Sequence, residues 1–486
     1  MAVSVGSPPV SAMADRADAC AKRLQEADRV LLASHIDADG LTSAAIASTA
    51  LERAEIPHEV VFEKQLDAES IEAVAAREYD TVLFTDFGSG QLEEIRPHER
   101  AGAFTPVIAD HHQPADAETE YHLNPLLFGI DGAAELSGAG AAYVLARAME
   151  SVAATDEGST DAARIDNRDL AALAVVGAVG DMQGGTDGLA GANGAILEEG
   201  IEAGVIESAT DLAIYGRQTR PLPKFLEYAT DVRIPGITND EAGAVRFLSE
   251  LSVDLKREGD WRVWADLSPA ERQTVASALI RRAIERGVPS NRVETLVGTS
   301  YTLLDEAPGT ALRDVSEFST LLNATARYER ADVGLAVCLG DRDAALERAR
   351  TLLSNHRRNL SEGLEWVKTE GVTVESNVQW FDAGTRIRET IVGIVAGMAI
   401  GTPDVDGGKP IVAFASKNET ELKVSARGNY RLVRNGLDLS AVMREAARGV
   451  GGDGGGHDVA AGATIPAEKR DAFLAAVDEL VGEQLS

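Results

Sequence analysis

His35, Asp37 and Asp39 occupy alternate positions in the stretch Ser34-His35-Ile36-Asp37-Ala38-Asp39-Gly40. Alternate residues of an extended segment point the same way, so one imidazole and two carboxylates would converge on one side of the backbone. One nitrogen donor among several oxygens suits Mn, Mg or Zn better than a thiol-loving metal. The pattern recurs downstream. Asp86 follows Thr81-Val82-Leu83-Phe84-Thr85, Asp110-His111-His112 follow Val107-Ile108-Ala109, and Asp181 ends the apolar segment Leu173 to Gly180. Any one of these Asp residues is also an ordinary cap or turn residue. Four successive apolar runs that each release Asp or His at the same end are harder to assign to turn chemistry.

The elements that must position these groups are legible around them. Val30-Leu31-Leu32-Ala33, ended by polar residues and Gly and followed by an Ala-rich segment, reads as strand, tight loop and helix. The spacing predicts further strands at Val60-Val61-Phe62, Thr81 to Thr85 and Val107 to Ala109, and helices over Ala68–Ala76 and Ser137–Met149. Alternation of this kind predicts an α/β fold with a parallel sheet and helices on both faces. Ligands of such sheets bind at the carboxyl ends of the strands, where the candidate donors lie.

At 486 residues the chain has room for two or three domains with full cores. Its 46 Lys and Arg face 78 Asp and Glu, a net charge of -32, with no long acidic block, so the acid is spread over the surface. A 44% hydrophobic content with persistent apolar periodicity argues against disorder. Scarce Lys and a uniformly acidic surface fit a high-salt cytoplasm, where net charge is a solubility device. Any nucleic-acid groove must then be locally basic. Cys20 and Cys338, the only cysteines, support neither a disulfide framework nor a zinc finger. Residues 1–20 lack the pattern of a signal peptide and no apolar run reaches membrane-spanning length, so the expected location is cytoplasmic, with no membrane partner.

Taken in order, His-x-Asp-x-Asp-Gly, the lone Asp86, Asp110-His111-His112 and Gly180-Asp181 resemble motifs one to four of the DHH phosphoesterase superfamily. The resemblance spans roughly residues 25–185 and implies two divalent cations, Mn with Mg as the alternative. It places the first ion on His35, Asp37 and Asp86 and the second on Asp39, Asp86, His111 and Asp181, with Asp86 as the bridge. His112 would face the substrate phosphate or leaving group, and Asp110 would support the catalytic set from behind. Two cations about 4 Å apart activate a water between them and neutralise phosphoryl charge during in-line attack.

Beyond Asp181 the sequence predicts a loop at Gly184–Gly188 and a basic, Pro-containing linker at Tyr215–Pro223. Ser268-Pro269-Ala270-Glu271 has capping-box form, with a helix expected to about Arg286. Leu321 to Arg327 resembles the Asn-Ala-x-Gly-Arg motif of RecJ-type nucleases, with Ala326 in place of Gly, which implies phosphate contacts for Asn323 and Arg327. A long helix is expected over Asp343–Lys368, its His356-Arg357-Arg358 cluster facing a phosphate backbone or solvent. Strands at Gln379 to Phe381, Ile411 to Phe414 and Leu422 to Ser425, and helices over Ile387–Ile400 and Leu439–Ala447, complete a second α/β lobe. Its Gly455-Gly456-His457 and Ser425-Ala426-Arg427 resemble elements of the DHH-associated C-terminal domain, and by that resemblance Arg427, Gly455, Gly456 and His457 bind the substrate's phosphate or terminal nucleotide. A helix beginning near His457 would add its positive end.

The expected organisation is a catalytic domain at 14–190, a linker at 191–224, an inserted subdomain at 225–310, the end of the catalytic lobe with its connecting helix at 311–370, and a substrate-binding domain at 371–486. The length between motif four and the Asn-Ala motif resembles archaeal RecJ-like proteins, among them a nuclease that binds the replicative GINS complex through such an insertion. The implied activity is exonucleolytic hydrolysis of single-stranded DNA or RNA. A phosphodiesterase for short oligoribonucleotides or cyclic dinucleotides, and a replisome adaptor, are the alternatives. With aromatics at 5%, phosphate contacts are expected to outweigh stacking, and Arg217, Arg220, Arg327 and Arg427 are the candidate basic groups.

Overall fold

The computed structural model describes residues 9–153, 165–185, 187–229, 232–400, 402 and 405–485, so Thr186 of the expected 184–188 loop lies outside the described residues. The chain divides into two compact units, residues 1–350 and 351–486.

In the first unit, α1 (Ala14–Gln25) precedes β1 (Val30–His35), whose residues are buried up to Ser34. Asp37 caps α2 (Ala38–Arg53) by accepting the Gly40 amide at 3.0 Å, which ends the strand and starts the helix within three residues. There follow β2 (His58–Glu63), α3 (Ala68–Ala75), β3 (Thr81–Thr85), α4 (Leu92–Arg100), β4 (Thr105–Ala109) and β5 (Tyr121–Leu123). They form a parallel five-stranded sheet in the order β2-β1-β3-β4-β5. The chain leaves β1 for one edge, then returns to place β3 on its other side. The carboxyl ends of β1 and β3 therefore flank the point where strand order reverses, the usual crevice for a ligand.

Helices α5 (Gly138–Ala153) and α6 (Ala171–Gly180) pack with α2. The fourth apolar run is thus a helix, unlike the three strands before it. Its Gly177 explains why: a Cβ there would collide with Ala139, Asp39 and Thr42, so a helix with a bare face lets three backbones close up around Asp39.

After α7 (Gly191–Glu202) and β6 (Ile206–Leu212) the chain enters a segment with its own core. It comprises α8 (Leu222–Glu227), α9 (Glu241–Ser249), the short hairpin β7 (Lys256–Arg257) and β8 (Asp260–Trp261), α10 (Pro269–Glu285) and α11 (Ser290–Glu294). Phe225 stacks on Trp264 at 5.4 Å within that core, and the Ser268–Glu271 capping box opens α10 as its sequence predicts. The chain returns through β9 (Val297–Leu303), antiparallel to β6, so both ends of the segment lie side by side. Helices α12 (Val315–Arg327) and α13 (Ala331–Cys338) complete the unit, and α14 (Ala344–Glu370) runs on into the second.

The expected linker over 191–224 is not a linker: it holds α7, β6 and the start of α8. Nor is Arg217 a solvated basic group. Its Nε donates to Asp314 Oδ2 at 2.8 Å, and the neighbouring Gln218 amide and Thr219 hydroxyl both donate to Glu317. Asp314 and Glu317, at the start of α12, draw this stretch into a buried polar joint. Arg220 is held between the rings of Tyr215 and Tyr228, at 4.7 and 5.0 Å from their centroids.

In the second unit β10 (Thr373–Val374), β11 (Gln379–Asp382), β12 (Ile411–Ser416), β13 (Glu421–Arg427), β14 (Asp453–Gly456) and β15 (Ala460–Pro466) form a six-stranded sheet ordered β10-β11-β12-β13-β15-β14. Along β12 the side chains alternate between two cores. Val412 and Phe414 join one built on α17 (Leu439–Gly449) and α18 (Arg470–Leu485), while Ile411, Ala413 and Ala415 join one built on α15 (Val392–Ala399). Between β13 and α17 lies α16 (Tyr430–Arg434).

Helix α15 starts five residues later than its pattern predicts, because the Arg388 carbonyl gathers the Ile391 and Val392 amides in a turn that buries Ile387 and Ile391 while leaving Arg386 and Arg388 exposed. No helix starts near His457 either. The glycines form β14, and the Asp458-Val459 turn leads back into β15, whose alternating burial is that of a strand. Among the described residues no helix is long and apolar enough to cross a membrane.

Candidate metal centre

The carboxyl ends of β1, β3 and β4, the C-cap of α6 and the N-terminus of α5 meet at one place. His35 Nδ1 lies 3.3 Å from Asp37 Oδ2 and 3.4 Å from Asp86 Oδ2. His111 Nε2 lies 3.3 Å from Asp86 Oδ1, 3.7 Å from Asp39 Oδ2 and 3.8 Å from Asp181 Oδ2. Among the groups whose ligand atoms lie within 4.8 Å of one another are two that match the expected sets, His35 with Asp37 and Asp86, and Asp39 with His111 and Asp181. Asp86 presents one oxygen to each set.

The backbone is shaped to allow this. Asp86 sits at φ 60°, a left-handed conformation that Asp tolerates better than most residues. Its carboxylate lies so close to Gly138 that a Cβ there would overlap it. Asp39 is enclosed, and its two oxygens accept the amides of Gly138 at 2.7 Å and Ala139 at 3.0 Å, so the first turn of α5 holds it. Asn323, from α12, accepts the Ala38 amide at 3.1 Å and braces the Asp37–Asp39 turn from behind.

His111 donates from Nδ1 to the Gly132 carbonyl at 2.6 Å, which leaves Nε2 as the free lone pair facing the carboxylates. Gln183 donates to the same carbonyl and to Asp181 Oδ2, both at 2.9 Å, and is held in turn by Asn193 at 2.7 Å. Gln183 and Asn193 are buried, and neither stands out in the sequence. The spacing Asp181-x-Gln183 was the available signal.

Asp110 shares a third group with Asp86, His111 and His112, but its own oxygens are taken up by hydrogen bonds. Oδ2 accepts the Ser89 amide at 2.9 Å, while Oδ1 accepts the His111 amide at 2.7 Å and the His112 ring nitrogen Nδ1 at 2.8 Å. His112 is thereby oriented with its side chain 55% exposed beside the donor cluster.

The electrostatics call for positive charge. Burial, and then Asp86, push the Asp39 carboxyl well above its ordinary range, and burial raises Asp181 as well. Burial opposes protonation of His35 and His111, but carboxylate neighbours prevail and lift both to about 11. Burial also acts upward on Asp86, yet the two imidazoles hold it below its ordinary value. Asp110 is likewise brought down to about 2 by His112 against its burial. This pull toward positive charge is one that a divalent cation would satisfy. Asp86 Oδ1 is buried and makes no hydrogen bond. An orphaned carboxylate oxygen between two sets of hard oxygen and imidazole donors fits a divalent cation.

Arg327 is exposed at the end of α12. Arg427, Gly455, Gly456 and His457 belong to the second unit, where Arg427 ends β13 and donates to the Ala426 carbonyl at 2.8 Å. Its guanidinium passes over Gly393 of α15, where a Cβ would strike it. Gly456 and His457 are exposed at the turn of the β14–β15 hairpin.

Residues 29–177 match the N-terminal domain of the DHH family, residues 214–297 a DHH-CID domain and residues 378–483 a DHHA1 domain. An uncharacterized protein of Methanocaldococcus jannaschii is 30% identical over 460 residues, covering 93% of both chains. Among solved structures, RecJ of Thermus thermophilus in complex with Mn2+ superposes with a TM-score of 0.60 at 17% identity, over 99% of this chain and 56% of that one. The chain thus spans little more than half of that protein. CDC45 of Entamoeba histolytica gives a TM-score of 0.64 at 11% identity, over 96% of this chain and 97% of the other.

Proposed function

The chain belongs to the DHH superfamily as a RecJ-like protein, and on that premise we propose that it is a two-metal exonuclease removing nucleotides from an end of single-stranded DNA or RNA. The observation that carries the reading is the pair of donor sets sharing Asp86. Likeness of fold extends to CDC45 as well as to RecJ, so the donors weigh more than the fold.

His35, Asp37 and Asp86 would hold one divalent cation, and Asp39, Asp86, His111 and Asp181 the other, with Mn favoured and Mg the alternative. When bound, such a pair supplies Lewis-acid activation of water and neutralises charge on the phosphoryl oxygens. The chain's own groups do the rest. Asp110 fixes the His112 ring through Nδ1, so Nε2 is the nitrogen left to donate to a phosphate oxygen or to the leaving oxygen. Residues of α5, with Gln183 and Asn323, keep the donors in place. Arg327, Arg427, His457 and the amides of Gly455 and Gly456 are the proposed phosphate contacts, a local counterweight to the net charge of -32.

The segment between β6 and β9 is proposed as a partner-docking module, with a replisome complex such as GINS as the partner. Its paired ends allow excision between them, which should abolish partner binding and spare hydrolysis. The acidic surface is read as adaptation to a high-salt cytoplasm.

DNA and RNA strands labelled at either end and incubated with Mn2+ in high salt test the reading. Stepwise release of mononucleotides from one end of the single strand, with duplex spared, is expected. Asp86→Ala should abolish turnover and leave the fold intact. A wide preference for dinucleotides over long strands would instead establish a small-nucleotide phosphodiesterase, and no hydrolysis with either metal would leave the adaptor.

A further inference from the structure

Within the second unit, α14 and the turn over residues 386–391 enclose a cavity of about 280 Å³. The helix contributes Asn359, Glu362, Gly363 and Trp366, whose spacing puts them on one helix face. Arg386 and Arg388 enter from the turn. Trp366 is half-buried and fixed edge-on against Phe381, ring centroids 6.1 Å apart at 68°. Its indole N–H has no acceptor, and the exposed Arg386 guanidinium no partner, among the described residues.

Glu362 is the one carboxylate of the cavity, and Arg358 from the preceding helical turn lies 4.0 Å from it. The His356-Arg357-Arg358 cluster therefore lies on the helix turns leading to the cavity. Thr390, between the lining residues Arg388 and Ile391, has a buried hydroxyl with no partner. On a chain of net charge -32, a concavity lined by two guanidinium groups and one carboxylate, with the Arg386 guanidinium exposed, favours an anion. A rigid indole beside it selects a flat ring.

We propose that this cavity binds one nucleoside phosphate unit, with the base against Trp366 and the phosphate on Arg386 and Arg388. The choice of a nucleotide rests on the nuclease reading above. The unit has two sources, a free mononucleotide released by hydrolysis or a nucleotide within a single strand.

Equilibrium dialysis of the full chain with deoxyadenosine monophosphate and with a short oligodeoxyadenylate tests this, in high salt with a chelator present so that the metal centre takes no part. Trp366→Leu, which removes the stacking face, and Arg386→Gln, which removes a phosphate contact, should each weaken binding about tenfold, while Arg348→Gln on the same helix changes nothing. Because Arg386 is exposed, its variant probes the cavity even if Trp366→Leu loosens the contact with Phe381. Weakening for the oligomer alone assigns the site to the strand, weakening for the monophosphate alone assigns it to the product, and weakening for both leaves the shared unit as the ligand. Unchanged binding in both variants, or no binding of either ligand by the wild type, overturns the proposal. A wild-type chain that hydrolyses strands but binds neither ligand in dialysis sinks the cavity alone; a wild-type chain that binds them at this cavity but hydrolyses nothing sinks the nuclease alone.

Discussion

Asp86 is asked to do what few side chains do, offering each of its oxygens to a different set of donors while buried and in a left-handed backbone conformation. Its neighbours are arranged around that demand. Gln183 ties Asp181 to the carbonyl that fixes His111, so it orients donors from both an imidazole and a carboxylate. Groups placed behind metal ligands in this way are worth about 10–100-fold in affinity. Gln183→Ala should lower Mn2+ affinity by that order in titration calorimetry while leaving the melting temperature of the metal-free protein nearly unchanged. Asn323 calls for a different test from the one its motif implies. It holds the Ala38 amide, so Asn323→Ala should weaken metal binding through the Asp37–Asp39 turn. A change confined to KM for the strand, with metal affinity intact, would return it to a phosphate-contact role.

The elements show why the donors converge. Three are strand ends of one parallel sheet, and this much is legible in the residues, since each apolar run stops at its Asp or His. The fourth run looks the same in one dimension and is a helix, because burial on all sides erases the periodicity that separates strand from helix. Its glycines carry the missing information. Gly177 admits Asp39, Thr42 and Ala139 to van der Waals distance, so Gly177→Ala should destabilise by about 1–3 kcal/mol, seen as a lowered denaturation midpoint. Gly138→Ala would meet the Asp86 carboxylate directly and should cost activity more than stability. The first turn of α5 as an anchor for Asp39 is also hidden, since nothing in Ser137-Gly138-Ala139 announces which carboxylate its amides will receive. The turn of the β14–β15 hairpin reads in one dimension as a helix start, because a glycine run has no period of its own and only the alternating burial after it decides.

At the scale of the whole molecule, charge dominates. A surplus of 32 acidic charges repels itself, and the repulsion is screened only at high ionic strength. Circular dichroism through a descending salt series should show structure lost in dilute buffer and regained with KCl; full structure and activity at low salt would remove the high-salt reading. Composition makes this expectation available at once, whereas the buried joint of Arg217 with Asp314 and of Glu317 with Gln218 and Thr219 is not legible, because its partners are about a hundred residues apart. The same holds for the metal centre, whose ligands come from across more than a quarter of the chain and are recognisable only as an ordered set. Those ligands are proposed to hold two cations that share Asp86, and electron paramagnetic resonance of the Mn2+-loaded protein reads this directly. Two Mn2+ per chain with an exchange-coupled spectrum, reduced to an uncoupled one in Asp86→Ala, is the expected result; a single ion, or two uncoupled ions in the wild type, would contradict it.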